Sequence, residues 1–349
     1  MIKKINPRAE LISLMRGFFV CPIISFLHNH KLVDKIIKSD FNSQSFRAIK
    51  NKLFFEKILF YLVSLGLLNI KKKKNTRNKL FYATKLGKKI FLRSGSFLLL
   101  HSYKPFVNEL EKNLIKKKTS LIFCNRGENV IGSGSTNNKK FFPNAIDLVK
   151  KENIGLIADI GCGDGNFISQ ISKKFPLVPI FASDLSNIAV GASKKRLGAN
   201  SSKRKIKYLI CDAANVKKWA SEINKIKIKK NSKILISAWY ILHEISKHER
   251  QNIIRFFKNI KKYIPNAIIL IGEITKIENH VLALNKDVSI MPEFLFFHEL
   301  SGQGVLKFSD YDHILKKIPY RLSKHIKFDL MRHNKKTIPS AFVWLLKNK

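Results

Sequence analysis

Residues 155–167, GLIADIGCGDGNF, constrain this chain more than any other stretch. Leu156, Ile157, Ala158 and Ile160 surround Asp159 in a short apolar run, the pattern of a buried parallel strand. Gly161, Gly163 and Gly165 follow at once, and Phe167, Ile168 and Ile171 then recur at helical spacing. A strand, a tight glycine turn and a helix start make a cradle. Glycines let the backbone come close to a ligand, and the first turn of a helix offers N–H groups that the helix itself does not use. The rest of the chain reads as strands and loops built around this cradle.

Two cofactor classes use such a turn. The dinucleotide fingerprint G-x-G-x-x-G needs its third glycine at position 166, which is Asn166, so that match fails. The spacing Asp159-x-Gly161-x-Gly163-x-Gly165 resembles instead the first motif of class I S-adenosylmethionine (SAM) methyltransferases. In that family the loop wraps the methionine half of a cofactor that has no pyrophosphate to neutralise. Val178 to Asp184 supports the resemblance, as a strand that ends in an acid about twenty residues past the loop. A carboxylate there can accept from both ribose hydroxyls. A third strand, Ile206 to Asp212, ends in another acid. The resemblance adds Leu185 to the cofactor site and places Asp212 and Ala213 beside the adenine. It implies an α/β fold with a Rossmann-like seven-stranded methyltransferase sheet. Strands at 233–238 and 267–273, and a terminal antiparallel hairpin from 322–330 and 341–346, would complete that sheet.

Ahead of the cradle the pattern is helical. Residues 9–30 carry Leu11, Leu14, Met15, Phe18 and Phe19 on one helix face, with Pro22 as a potential kink. A second helix over 52–65 is closed by Gly66. Leu67 to Ile70, the run Lys71–Lys74 and Leu80 to Thr84 follow as strand, basic turn and strand, and a helix starts at Leu86. A helix followed by a hairpin wing is a winged-helix pattern. It resembles the N-terminal dimerisation domain of many small-molecule methyltransferases, so we expect a winged-helix-like dimerisation domain over 1–118 and a SAM-binding domain over 119–349. Residues 96–117 read as a bridging helix. The segment Asn125 to Ser135 is rich in glycine and serine. It reads either as a linker or as a lid that offers Arg126 to a substrate carboxylate.

Methyl transfer needs a nucleophile in line with the sulfonium methyl at about 3 Å. The residues to weigh are His243 and Glu244, just past the strand at 233–238, and the stretch Met291 to Gln303. Together they resemble metal-dependent C-methyltransferases of α-keto acids, such as 2-ketoarginine, and the methyltransferase domains of some polyketide starter modules. That resemblance implies a divalent metal (Zn, Fe or Mn) on His243, Glu244 and His298, with Gln303 as a substrate contact or fourth ligand. The metal would stabilise an enolate whose carbon takes the methyl. The ligand acid expected from the resemblance is Asp, and here it is Glu244. The alternative is a metal-free small-molecule O-methyltransferase in which His243 is the general base. As neighbours, His243 and Glu244 converge only on a loop or a helix start, because a strand points them apart.

Charge and cysteine content set the remaining expectations. There are 66 Lys and Arg against 24 Asp and Glu, a net charge of +42, yet only 12 of the basic residues are Arg. Arg is the residue favoured for phosphate and base forks. An excess of Lys with Ile and Asn is what an AT-rich genome produces by drift, so a nucleic acid or an acidic carrier protein is a secondary expectation for partner. A nucleic-acid-binding winged-helix protein, with Lys71–Lys74 on the phosphates, is the reading of a different class. Four cysteines without a C-x-x-C pair argue against a zinc knuckle or a disulfide framework, and a cytoplasmic location is expected. Gly17 to Leu27 lacks a small-residue cleavage site and is interrupted by Pro22, so no run reaches the length of a membrane span and no membrane partner is expected.

Overall fold

A computed structural model describes residues 7–72, 79–115, 124–137, 141–198, 205–285, 289–333 and 336–349 of the chain. They form two compact units, one ending at Thr136 and one beginning at Asn137. The division falls later than the expected 118/119, because the segment after Asn125 belongs to the first unit.

The first unit is helical with one small hairpin. Its first helix, Pro7–Asn29, continues through Pro22. It is long and apolar enough to cross a membrane, against the expectation that no run is long enough. Its second half packs inward through Ile24 and Leu27, while the first half leaves Leu14 72% and Phe18 75% exposed. The helix Lys52–Ser64, capped by the Asn51 side chain, leads into strands β1 (Leu68–Lys72) and β2 (Lys79–Ala83), which pair antiparallel. The Thr84 side chain then accepts from the Gly87 N–H and starts the helix Lys85–Phe91. Lys71 is paired with Asp40, and Lys73 and Lys74 lie outside the described residues.

Two expectations for this unit are corrected. The bridging helix is three short ones, Ser94–His101, Lys104–Asn108 and Leu110–Ile115, with Pro105 in the first turn of the second. The glycine- and serine-rich segment, expected as a linker or a lid, is the helix Arg126–Asn137. Its small residues serve close packing. A Cβ on Gly132 would lie 2.5 Å from the Leu99 backbone nitrogen, so the two helices touch through glycine. His28 closes the same contact with hydrogen bonds to Ser94 and Ser135.

The second unit is built on a seven-stranded sheet. In chain order its strands are β3 (Ile154–Ile160), β4 (Ile180–Asp184), β5 (Ile206–Ile210), β6 (Lys233–Trp239), β7 (Ala267–Ile274), β8 (Tyr320–His333) and β9 (Lys336–Asn348). Their spatial order is β5-β4-β3-β6-β7-β9-β8. The first five run parallel, while β9 is antiparallel to β7 and β8 to β9. Leu156, Ala158 and Ile160 pack in one apolar cluster and Ile157 in another, so the sheet is covered on both faces. That is why the parallel strands read as continuous apolar runs. From β3 the chain first builds outward to β4 and β5, then returns and builds the other way through β6 and β7. The reversal between β3 and β6 opens a crevice at their carboxyl ends, where ligands bind in sheets of this kind.

Candidate active site

The glycine turn lies at the carboxyl end of β3. Gly161, Gly163 and Gly165 all have positive φ, at 74°, 53° and 73°. The Gly161 N–H donates to the Ser183 carbonyl at 2.7 Å, which ties the turn to β4. A Cβ on Gly161 would come within 2.3 Å of the Ile241 side chain. Backbone conformation and space therefore both require glycine there. Asp184, at the end of β4, accepts from the Gly163 N–H at 3.0 Å and from the Ser186 N–H at 2.9 Å. A clasp that no sequence motif indicates completes the turn. Arg196, on the helix Asn187–Gly198, holds both the carboxylate and the carbonyl of Asp164.

Asp159 is fully buried at the end of β3. Its Oδ1 accepts from the Ser237 hydroxyl at 2.6 Å, and its Oδ2 has no hydrogen-bond partner among the described residues. Burial, with the Asp184 charge adding to it, pushes the carboxyl up to about 7 against the opposing pull of Ser237. An unpartnered carboxylate oxygen in a buried cradle is a place for a cationic donor, and the ammonium of the methionine half of SAM is one. The glycine turn, the Asp184 carboxylate at its side and this oxygen are chemically compatible with that cofactor. The raised value has a consequence for stability. A carboxyl titrating higher folded than unfolded stabilises the fold fully below its ordinary value of 3.8, and the contribution is lost as pH rises through about 7. Asp159→Asn is therefore expected to flatten the loss of thermal stability between pH 4 and 8, a gain of up to about 4 kcal/mol at the alkaline end. Melting curves across that range check it, and an unchanged pH dependence would refute it.

Asp212 lies two residues beyond β5, exposed, with its Oδ1 on the Ala214 N–H at 2.8 Å. Ala213 is half-buried and its carbonyl accepts from the Trp219 indole at 2.9 Å. Leu185 follows Asp184 and is exposed. All three stand at the same edge of the sheet as the glycine turn.

The second half of the site follows β6. The helix Leu242–Ser246 starts there, as a pair of neighbouring functional residues requires. His243 is 2% exposed and its Nδ1 lies 2.8 Å from Glu273 Oε1 at the end of β7. Glu273 Oε2 accepts from the N–H groups of Leu242 and His243, and its Oε1 also accepts from Ile274. Four hydrogen bonds thus pin one fully buried carboxylate. Because a carboxylate accepts, His243 Nδ1 is the donor in this bond, which in the neutral form of the ring puts the lone pair on Nε2. The sequence reasoning missed Glu273 as a functional residue. The signal was present, since it is an acid at the carboxyl end of a strand, as Asp184 is.

His298 also arrives. It lies in the last turn of the helix Met291–Leu300, 6% exposed, with its ring centroid 4.9 Å from that of His243. Its Nδ1 donates to the Phe294 carbonyl at 2.6 Å. Gln303 is half-buried and donates its N–H to the His298 carbonyl at 3.0 Å. The expected metal set does not form. No group of three or more His, Cys, Asp or Glu among the described residues is placed to hold an ion. The carboxylate bonded to His243 Nδ1 is that of Glu273, and it spends its oxygens on that ring and on three backbone N–H groups. Arg126 starts a helix of the first unit.

The sequence matches no family model and no curated protein. Solved structures match over the full length. Human N-acetylserotonin methyltransferase in complex with SAM gives a TM-score of 0.61 at 14% identity, covering 100% of this chain and 99% of that one. An O-methyltransferase family protein from Burkholderia thailandensis gives 0.59 at 13% identity over 99% of each chain. Mitomycin 7-O-methyltransferase MmcR gives 0.56 at 10% identity over 98% of each. At such identities the likeness concerns architecture, and this chain has the fold that these methyltransferases share.

Proposed function

We propose that the chain is a SAM-dependent methyltransferase that transfers the methyl group to a hydroxyl of a small molecule, with His243 as a metal-free general base. The observation that carries this is the His243–Glu273 pair, buried beside the switch point at which the glycine turn lies. Asp159, the glycine turn and Asp184 would hold the cofactor, with Leu185, Asp212 and Ala213 on the side of its base. When bound, SAM supplies an activated methyl group on a sulfonium. His243 Nε2 would take the proton of the substrate hydroxyl, which makes that oxygen the nucleophile. Glu273 keeps the imidazole in the tautomer that can accept, and it offsets the charge of the imidazolium that forms. Burial of both residues keeps water out of the pair. Gln303, next in space to His298, is our candidate for a substrate contact.

Incubation of purified protein with labelled SAM and a panel of phenols, alcohols and keto acids, with and without a chelator, tests the proposal. Transfer to a hydroxyl compound that is indifferent to chelator is expected. Transfer confined to keto acids, abolished by chelator and restored by metal, would return the enolate mechanism.

We further propose that the first unit makes the chain a homodimer. Leu11, Leu14, Met15, Phe18 and Phe19 are exposed along one helix. Burying each would contribute about 1.5–3 kcal/mol, enough in sum to drive association. Sedimentation should give a dimer, and Leu14→Glu with Phe18→Glu a monomer. A wild-type monomer at micromolar concentration would count against this role.

A further inference from the structure

We infer that His298 is a positioning residue for His243: it walls one side of the imidazole and so holds Nδ1 on Glu273. The inference rests on the proposed role of His243 as base. A hydrogen bond to one ring nitrogen fixes one point of an imidazole, but the ring can still rock or flip about its bond to the side chain. A flip would carry Nδ1 away from Glu273 and exchange it for a carbon. Something must therefore pack against the ring, and what packs there is His298, edge to face at 77° with centroids 4.9 Å apart.

The wall is itself held rigid. The His298 ring stacks on Phe294 with centroids 3.8 Å apart and planes 25° apart. Its Nδ1 is bonded to the carbonyl of that same residue, one helical turn back. A ring tied at one edge and covered on one face by its own helix has little freedom left. The two helices are then laced together where they end. The Gln303 N–H donates to the His298 carbonyl, and the next N–H, Gly304, donates to the His243 carbonyl at 3.0 Å. The Ser246 hydroxyl bonds the Gly304 carbonyl. One short segment, 302–304, therefore couples the backbone of the base to the backbone of its wall. On the far side, Lys276 pairs with Glu299 at 2.6 Å, which fastens the helix bearing His298 to the chain that leaves β7 beyond Glu273.

The test reads the His243–Glu273 bond directly. A buried Nδ1 proton shared with a carboxylate gives a resolved low-field proton NMR signal, assigned by its loss in Glu273→Gln. In His298→Ala that signal is expected to vanish through exchange, and kcat is expected to fall at least tenfold with KM unchanged within about twofold. His298→Phe restores a ring without its nitrogens and should restore both the signal and most of kcat. If His298→Ala does not fold, His298→Gln, which also lacks a ring, carries the same expectation. A signal and kcat unchanged in the ringless variant overturn the inference. A phenylalanine variant as impaired as the alanine one also overturns it, because the nitrogens would then act directly. A rise in KM alone would make His298 a substrate contact instead. The NMR signal is present whether or not a substrate has been found, so failure of the methyltransferase proposal and failure of this inference are separately visible.

Discussion

His243→Ala is expected to lower kcat by about 10³-fold while S-adenosylhomocysteine still binds with its wild-type affinity. A positioned general base contributes about 10²–10⁴-fold to such a step. The upper part of that range is reached when the base is buried and its tautomer is enforced. Both hold here: His243 is 2% exposed and its Nδ1 sits 2.8 Å from a carboxylate that takes three further N–H bonds. Glu273→Gln should cost nearly as much, because an amide can present its N–H side to Nδ1 and turn the imidazole to the wrong tautomer. Steady-state kinetics on the two variants, with calorimetry for the demethylated product, settle the matter. A His243→Ala enzyme within about fivefold of wild type would remove the base from the proposed mechanism.

Asp184→Ala should weaken S-adenosylhomocysteine binding by about 10²–10³-fold and lower stability as well. The carboxylate is 4% exposed and already accepts from Gly163 and Ser186. Its removal orphans two N–H groups in the turn itself and takes away the acceptor for the ribose hydroxyls. Hydrogen bonds to a charged group are worth about 1.5–3 kcal/mol each, so two lost to the ligand amount to about 3–6 kcal/mol, and the expected range is the lower part of that. Asp184→Asn keeps the shape and one acceptor, and should retain more of the affinity than the alanine variant. Calorimetry that finds wild-type affinity in Asp184→Ala would place the nucleotide end of the ligand elsewhere.

Asp184 is legible in the sequence. It closes an apolar run at a set distance from a glycine turn, and both signals are local. Glu273 closes an apolar run too, yet its partner is thirty positions away in the chain at a helix start, and nothing local joins them. The metal expectation failed for the same reason. Glu244 is adjacent to His243 in sequence, but no group of three or more His, Cys, Asp or Glu among the described residues is placed to hold an ion. The acid that reaches the imidazole comes from the neighbouring strand. The glycines of 127–134 were misread from composition alone. Glycine serves a flexible loop and a close helix contact equally, and only the Leu99 backbone packed on Gly132 distinguishes the two.

Periodicity and turn chemistry by themselves determined the parallel strands and the cradle, because burial on both faces and a positive φ each leave a local mark on residue type. Only the tertiary structure decided which acid serves His243, that His298 stands against it, and that Asp159 holds a buried oxygen with no partner. Those are contacts between segments distant along the chain, and their distances depend on how β3, β6 and β7 lie side by side.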